Sequence, residues 1–126
     1  MKNRTRIIIC GGRDFSDQVL FEQSLSKILC QYKDIELISG HAKGADTFAE
    51  QYAIQHKVPI SVFKPDWKKY GRAAGPIRNK EMLDYALVNN PVVIAFWDGN
   101  SKGTANMINQ AKKAGAECHV IYYRTM

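Results

Sequence analysis

The sequence predicts an α/β fold: a doubly wound parallel sheet of five strands in the order 3-2-1-4-5, with helices on both faces. Short apolar runs without polar alternation, at residues 6–10 and 91–96, are what strands covered on both faces look like. Each run but the last is followed by apolar residues at helical spacing, and strand–helix alternation with right-handed crossovers yields a parallel sheet. Four strand-to-helix junctions carry glycine with small or polar partners, and a parallel sheet opens such junctions on one edge, beside the helix amino ends.

Residues 6–10 read as the central strand. Phe21, Leu25, Ile28, Leu29 and Tyr32 then mark the first helix, with Asp14 or Ser16 placed to cap it. Residues 35–38 form a second strand, and Ala45, Phe48, Ala49, Tyr52 and Ala53 give a narrow stripe on a closely packing helix. Residues 58–63 form a third strand, followed by an irregular stretch over residues 64–75 that holds Trp67, Tyr70 and Arg72. Its length predicts an ordered loop, with the two aromatics either facing a ligand or capping the core at the sheet edge. Pro76 fits the first turn of a third helix, whose core face is Met82, Leu83, Ala86 and Leu87. Residues 91–96 form the fourth strand, Thr104, Met107, Ile108 and Ala111 the fourth helix, and residues 120–122 the fifth strand. The order 3-2-1-4-5 puts a topological switch between strands 1 and 4, so the junctions after Cys10 and Phe96 should flank the main crevice.

A chain of 126 residues, 45% hydrophobic, suits one domain over residues 1–126 with a core of its own. There is no apolar run long enough to span a membrane, and the amino-terminal residues do not resemble a signal peptide, so a soluble cytoplasmic protein is expected. Cys10, Cys30 and Cys118 are odd in number and lie in apolar surroundings, which predicts buried reduced thiols. His41, His56 and His119 show no metal-ligand spacing, and neither metal nor cofactor is expected. The formal charge of +6 favours anionic partners. The basic residues form no long run and several fall inside the glycine-rich junctions, which suits a local anion site better than a nucleic-acid footprint.

At the first junction Gly11 and Gly12 let backbone approach an anion, and Arg13 offers a planar donor fork unless it pairs with Asp14 or Asp17. At the second, Ser39, Gly40, Lys43, Gly44 and Asp46 bring a hydroxyl, amides, an ammonium and a carboxylate to one helix end. This set could hold a phosphate and read a ribose hydroxyl, or Asp46 could simply complement the helix dipole. It is not a Walker A loop, which disfavours ATP or GTP hydrolysis. Arg78 and Asn79 sit in the first turn of the third helix, where a cation is unfavourable without a compensating ligand or a salt bridge to Glu81 or Asp84. Trp97, Asp98, Gly99, Ser101, Lys102, Gly103 and Thr104 repeat the phosphate theme, with Trp97 placed to meet a base or to pack in the core. The other reading of Ser101 and Thr104 is a plain capping turn.

The segments Gly11 to Phe15, Ser39 to Asp46, Pro65-Asp66-Trp67, Tyr70-Gly71, Ala74 to Asn79 with Met82, and Phe96 to Thr104 resemble the YspA-like family of the SLOG superfamily. Its relatives include the LOG phosphoribohydrolases and the DNA-processing protein DprA. The resemblance implies a Rossmann-like sheet that binds nucleotides or their derivatives, including ligands of the ADP-ribose type. Arg78 with Met82, and Gly103-Thr104, match segments of the superfamily's hydrolases. Those enzymes carry an acid–base glutamate three residues after the threonine, where this chain has Met107. A thioether moves no proton, so glycosidic cleavage would need Asp46 or Asp98 instead, with Arg78 orienting phosphate.

The expectation is therefore a sensor, carrier or sequestering protein for a small phosphorylated nucleotide-derived ligand, with Trp67 or Trp97 stacked on its base. The alternatives are an N-glycosidase acting on a nucleoside monophosphate and, more weakly, single-stranded nucleic-acid binding. A membrane partner is not expected, and a homodimer is left open.

Overall fold

The computed structural model describes residues 4–123. The strands are β1 (Thr5–Gly11), β2 (Ile35–Ser39), β3 (Ile60–Val62), β4 (Asn90–Trp97) and β5 (Glu117–Tyr122). They form one sheet in the order β3-β2-β1-β4-β5. Every pairing is parallel, with Ile7 opposite Leu37 on one side and Val92 on the other. The helices are α1 (Gln18–Leu29), α2 (Ala45–His56), α3 (Trp67–Tyr70), α4 (Ala74–Leu87) and α5 (Lys102–Ala114), with a 3₁₀ turn at Gly71–Ala73. This is the Rossmann-like doubly wound arrangement expected.

The unbroken apolar strands are explained by burial on both sides. Ile7, Ile9, Leu37, Ile94 and Phe96 pack under α1 and α2, where Phe21 and Leu25 are 1% and 0% exposed. The alternate residues Ile8, Cys10, Ile38, Val93 and Ala95 pack with Met82 and Leu83 of α4 and Met107 and Ile108 of α5. Each large side chain buried in this way contributes about 2 kcal/mol. No helix among the described residues is long and apolar enough to cross a membrane.

Several local expectations are corrected. Asp17, not Asp14 or Ser16, caps α1, its Oδ1 accepting from the Leu20 amide at 3.0 Å. Asp14 instead accepts from the Tyr123 hydroxyl at 2.8 Å. The third strand is shorter than residues 58–63, because it is an edge strand entered through Pro59, which has no N–H to give. The stretch over residues 64–75 is largely helical rather than irregular: Asp66 Oδ1 accepts from the Lys69 amide at 3.1 Å and starts α3, which runs through the 3₁₀ turn into α4. Of the three cysteines, only Cys10 is buried; Cys118 is intermediate and Cys30 is exposed, since it lies at the end of α1 beyond the last core turn.

One buried polar cluster fixes α4 against the sheet. Glu36, 5% exposed, accepts from Arg6 Nε at 3.2 Å and from the Tyr85 hydroxyl at 2.6 Å. Arg6 also donates to the Tyr85 carbonyl at 2.7 Å and lies over its ring, 3.7 Å from the centroid. Burial pushes the Glu36 carboxyl up, but the hydrogen bonds from Ser61 and Tyr85 and the Arg6 charge outweigh it and hold the group below its ordinary value. The cluster thereby anchors the helix that carries Arg78, which stands in the second turn of α4 rather than the first turn expected, because the helix already begins at Ala74.

Candidate phosphate-binding cleft

A cleft of about 800 Å³ opens at the carboxyl ends of β1, β2 and β4. That volume suits a nucleotide-sized ligand. Two helices, α2 and α5, begin at its edge with no side chain capping their amino ends, whereas α4 continues from the 3₁₀ turn and reaches the cleft further along, through Arg78, Asn79 and Met82. Helices α1 and α3, by contrast, are capped by Asp17 and Asp66. Because the first N–H groups of a helix have no intrahelical partner, uncapped ends facing one cavity leave donors for an anion.

The turn after β1 and the loop after β2 are built into each other. Gly44 has φ of +83°, and a side chain there would collide with the Gly12 carbonyl and meet Arg13 backbone atoms at 3.3 Å. Gly11 is equally confined, since an added Cβ would come within 2.8 Å of Ala45 Cβ and of the Phe96 carbonyl. Replacing Gly44 with Ala should therefore cost about 2 kcal/mol through backbone strain and crowding. It should lower the melting temperature by several degrees; a melting temperature within one degree of the parent's would refute this role for the contact.

Of the residues expected to bind a ligand, Gly11, Gly12, Arg13, Lys43, Asp46, Trp67, Arg78, Asn79, Asp98, Ser101, Gly103 and Thr104 line the cleft. Trp67 is 50% exposed on its wall rather than a cap on the core. The Asn79 amide is already engaged, donating to the Gly103 carbonyl at 3.3 Å and to Asn106 Oδ1 at 3.1 Å. Thr104 is buried, with its hydroxyl 3.2 Å from that of Ser101.

Ser39, Gly40, Gly44, Trp97, Gly99 and Lys102 fall outside the lining. Ser39 is wholly buried and its hydroxyl donates to Glu50 at 2.8 Å, while Gly40 is covered by the Arg78 guanidinium. Trp97 packs against the second core cluster and Tyr122, with its indole N–H donating to the Ser101 carbonyl at 3.0 Å. Gly99 serves the turn, with φ of +89°, and Lys102 extends into solvent. Cys10, Asp14, His41, Ala42, Pro65 and Met82 also line the cleft. Pattern alone placed Cys10 in a strand core; only its position as the penultimate residue of the central strand put it at the cleft floor.

Arg78 and Asp46 dominate the electrostatics. Arg78 donates from Nη1 to the Gly40 carbonyl and from Nε to Asn79 Oδ1 at 3.1 Å, and makes no salt bridge to Glu81 or Asp84. Burial lowers its pKa, against the charge of Asp46. Asp46, 5% exposed, accepts from the Ala42 amide at 3.0 Å through Oδ2. Its Oδ1 is the buried side-chain oxygen left without a hydrogen bond among the described residues. Burial pushes the carboxyl up to about 7, against the pull of the Ala42 amide and the Arg78 charge; the Gly40 amide lies near enough to lower it slightly without completing a hydrogen bond. Asp98 is held in the opposite sense, because the Ser101 and Asn100 amides, each at 2.8 Å, stabilise its carboxylate. Burial, with Asp46 beside it, raises the Cys10 thiol well above its ordinary value, so Cys10 stays protonated. Met107 is 0% exposed in the core beneath α5, remote in role from any proton transfer.

Fold and crevice together are those of a Rossmann-like α/β protein with its pocket at the topological switch point. The family model described as YAcAr (YspA, cpYpsA-related SLOG family) matches residues 5–70, and the chain belongs to that family. It is 30% identical over 116 residues to the Gene 61 protein of Mycobacterium phage D29, covering 87% of this chain and 90% of that protein. Its structure is similar to that of DNA processing protein A (DprA) from Streptococcus pneumoniae, with a TM-score of 0.50 and 16% identity over 90% of this chain. The chain spans 57% of that DprA chain, and at this identity the likeness bears on the fold alone. Membership of the family points to nucleotide-related ligand binding or processing. The match ends before α4, so Arg78, Ser101 and Thr104 are assigned to the cleft by geometry.

Proposed function

We propose that this protein binds a small phosphorylated nucleotide-derived ligand, of the nucleoside-phosphate or ADP-ribose type, as a sensor, carrier or sequestering protein. The observation that carries this reading is the convergence of two uncapped helix amino ends, those of α2 and α5, on one cleft that also holds Arg13, Lys43 and Arg78. Amide dipoles and cations together favour phosphate, and Trp67 on the wall offers a face for a base.

A second reading, hydrolysis of the glycosidic bond of a nucleoside monophosphate, draws on Asp46. A carboxyl raised to about 7 can exchange a proton near neutral pH, as general acid–base work requires. In that reading Arg78 orients the phosphate and Asp98 stays a carboxylate. Calorimetric titration with AMP and ADP-ribose should give saturable binding that weakens as salt rises; no binding of either at millimolar concentration would refute the nucleotide reading. Incubation with the same compounds and chromatography should leave both intact, whereas released base, lost in Asp46→Asn, would establish the hydrolase instead.

A further inference from the structure

Asp46 is anomalous in a cleft otherwise suited to anions. Its neighbours there include Cys10, Arg13, His41, Lys43 and Arg78, with Glu50 adding a second negative charge nearby and Asp98 at the end of β4. A carboxylate repels a phosphoryl group placed among those cations. It therefore weakens a site whose only guest is phosphate. The same group becomes favourable when the guest also presents a hydrogen-bond donor, because Oδ1 is buried without a partner and a buried unpaired acceptor costs about 1–3 kcal/mol.

The geometry narrows the donor. Oδ2 is fixed by the Ala42 amide, which leaves Oδ1 alone to accept. Oδ1 is nearly shut off from solvent, which favours a compact donor such as a hydroxyl over a bulkier group. Thr104 and Ser101, the hydroxyl side chains of the lining, are paired with each other.

We propose, building on the phosphate reading of the cleft, that its guest carries free sugar hydroxyls beside the phosphate and that Asp46 Oδ1 is the acceptor that selects for them. The site then prefers a phosphorylated sugar or ribonucleotide over inorganic phosphate and over sugar-deoxygenated analogues. A site that pairs a buried acceptor with a hydroxyl rejects the analogue lacking it strongly, since the acceptor is again left unpaired. Accepting a hydroxyl also favours the ionised carboxyl, so binding drives a proton off Asp46.

The test compares AMP with 2′,3′-dideoxy-AMP by calorimetry at pH 8, in the parent protein and in Asp46→Asn. The parent should bind AMP at least about tenfold more tightly than the dideoxy compound. Asp46→Asn, which places an amide donor where the acceptor was, should bind the two within about twofold of each other. At pH 7, AMP binding in buffers of different ionisation enthalpy should release about half a proton more from the parent than from Asp46→Asn. Equal affinities in the parent, or discrimination retained in Asp46→Asn, would overturn the assignment to Asp46 while leaving the phosphate cleft standing. If the parent binds neither nucleotide, the nucleotide reading itself falls and this inference with it. Unequal proton release of the opposite sign would place the carboxyl against the phosphate, and would also overturn it.

Discussion

Asp46→Asn should become progressively more stable than the parent protein as pH rises from 4 to 8. Burial holds the Asp46 carboxyl at about 7 in the fold, against an ordinary value of 3.8. The folded state thus retains a proton that the unfolded chain gives up. The stability associated with that proton is complete below about pH 4 and drains away as pH rises through 7, at about 1.4 kcal/mol per pH unit. The accumulated difference is about 4 kcal/mol, a large share of the total stability of a chain this size. Asparagine has no ionised form to bury and can still accept from the Ala42 amide. The quantity to measure is the difference between the two unfolding free energies by denaturant titration at pH 4, 6 and 8. A difference that stays flat across that range would show that the carboxyl titrates normally. Such a cost at neutral pH is common where a group is kept for binding rather than for folding.

Arg78→Ala should weaken AMP binding by about 100-fold, because it removes the planar donor fork of the cleft and leaves Asp46 uncompensated. Coulomb attraction to Arg78 pulls the Asp46 pKa down. Its loss should move the titration of Asp46 upward, so the pH-dependent instability extends to higher pH in the variant. Arg78→Lys keeps the charge but not the fork, and should recover only part of the affinity. Lys102→Ala, outside the cleft, should bind as the parent does. Affinity within twofold of the parent in a folded Arg78→Ala protein would remove Arg78 from the site.

The sheet and its order were legible because the physics is one-dimensional there: uninterrupted runs such as Ile7-Ile8-Ile9 require cover on both faces, and the glycine junctions mark where each crossover begins. Residues 64–75 were misjudged because a four-residue helix capped by Asp66 has too few turns to show periodicity. At the cleft, residue type pointed to Arg78 and Lys43, and both line it. It left the partner of Ser39 and Trp97 open, since a hydroxyl or an indole next to a glycine turn is equally satisfied by the protein's own Glu50 or Ser101 carbonyl. Which of the two partners wins is a matter of side-chain direction, and no spacing rule encodes it. The unpaired oxygen of Asp46 was beyond sequence altogether, because it is defined by what does not approach it.

The interlock of Gly44 with the Gly12 carbonyl ties the history of two distant stretches of chain together. Neither loop can acquire a side chain, lengthen or change its course by itself without pushing on the other, so the two have to drift in concert or stay as they are. Diversity among proteins sharing this scaffold should consequently gather on the α4 and α5 side of the crevice, where new guests can be accommodated without disturbing that clasp.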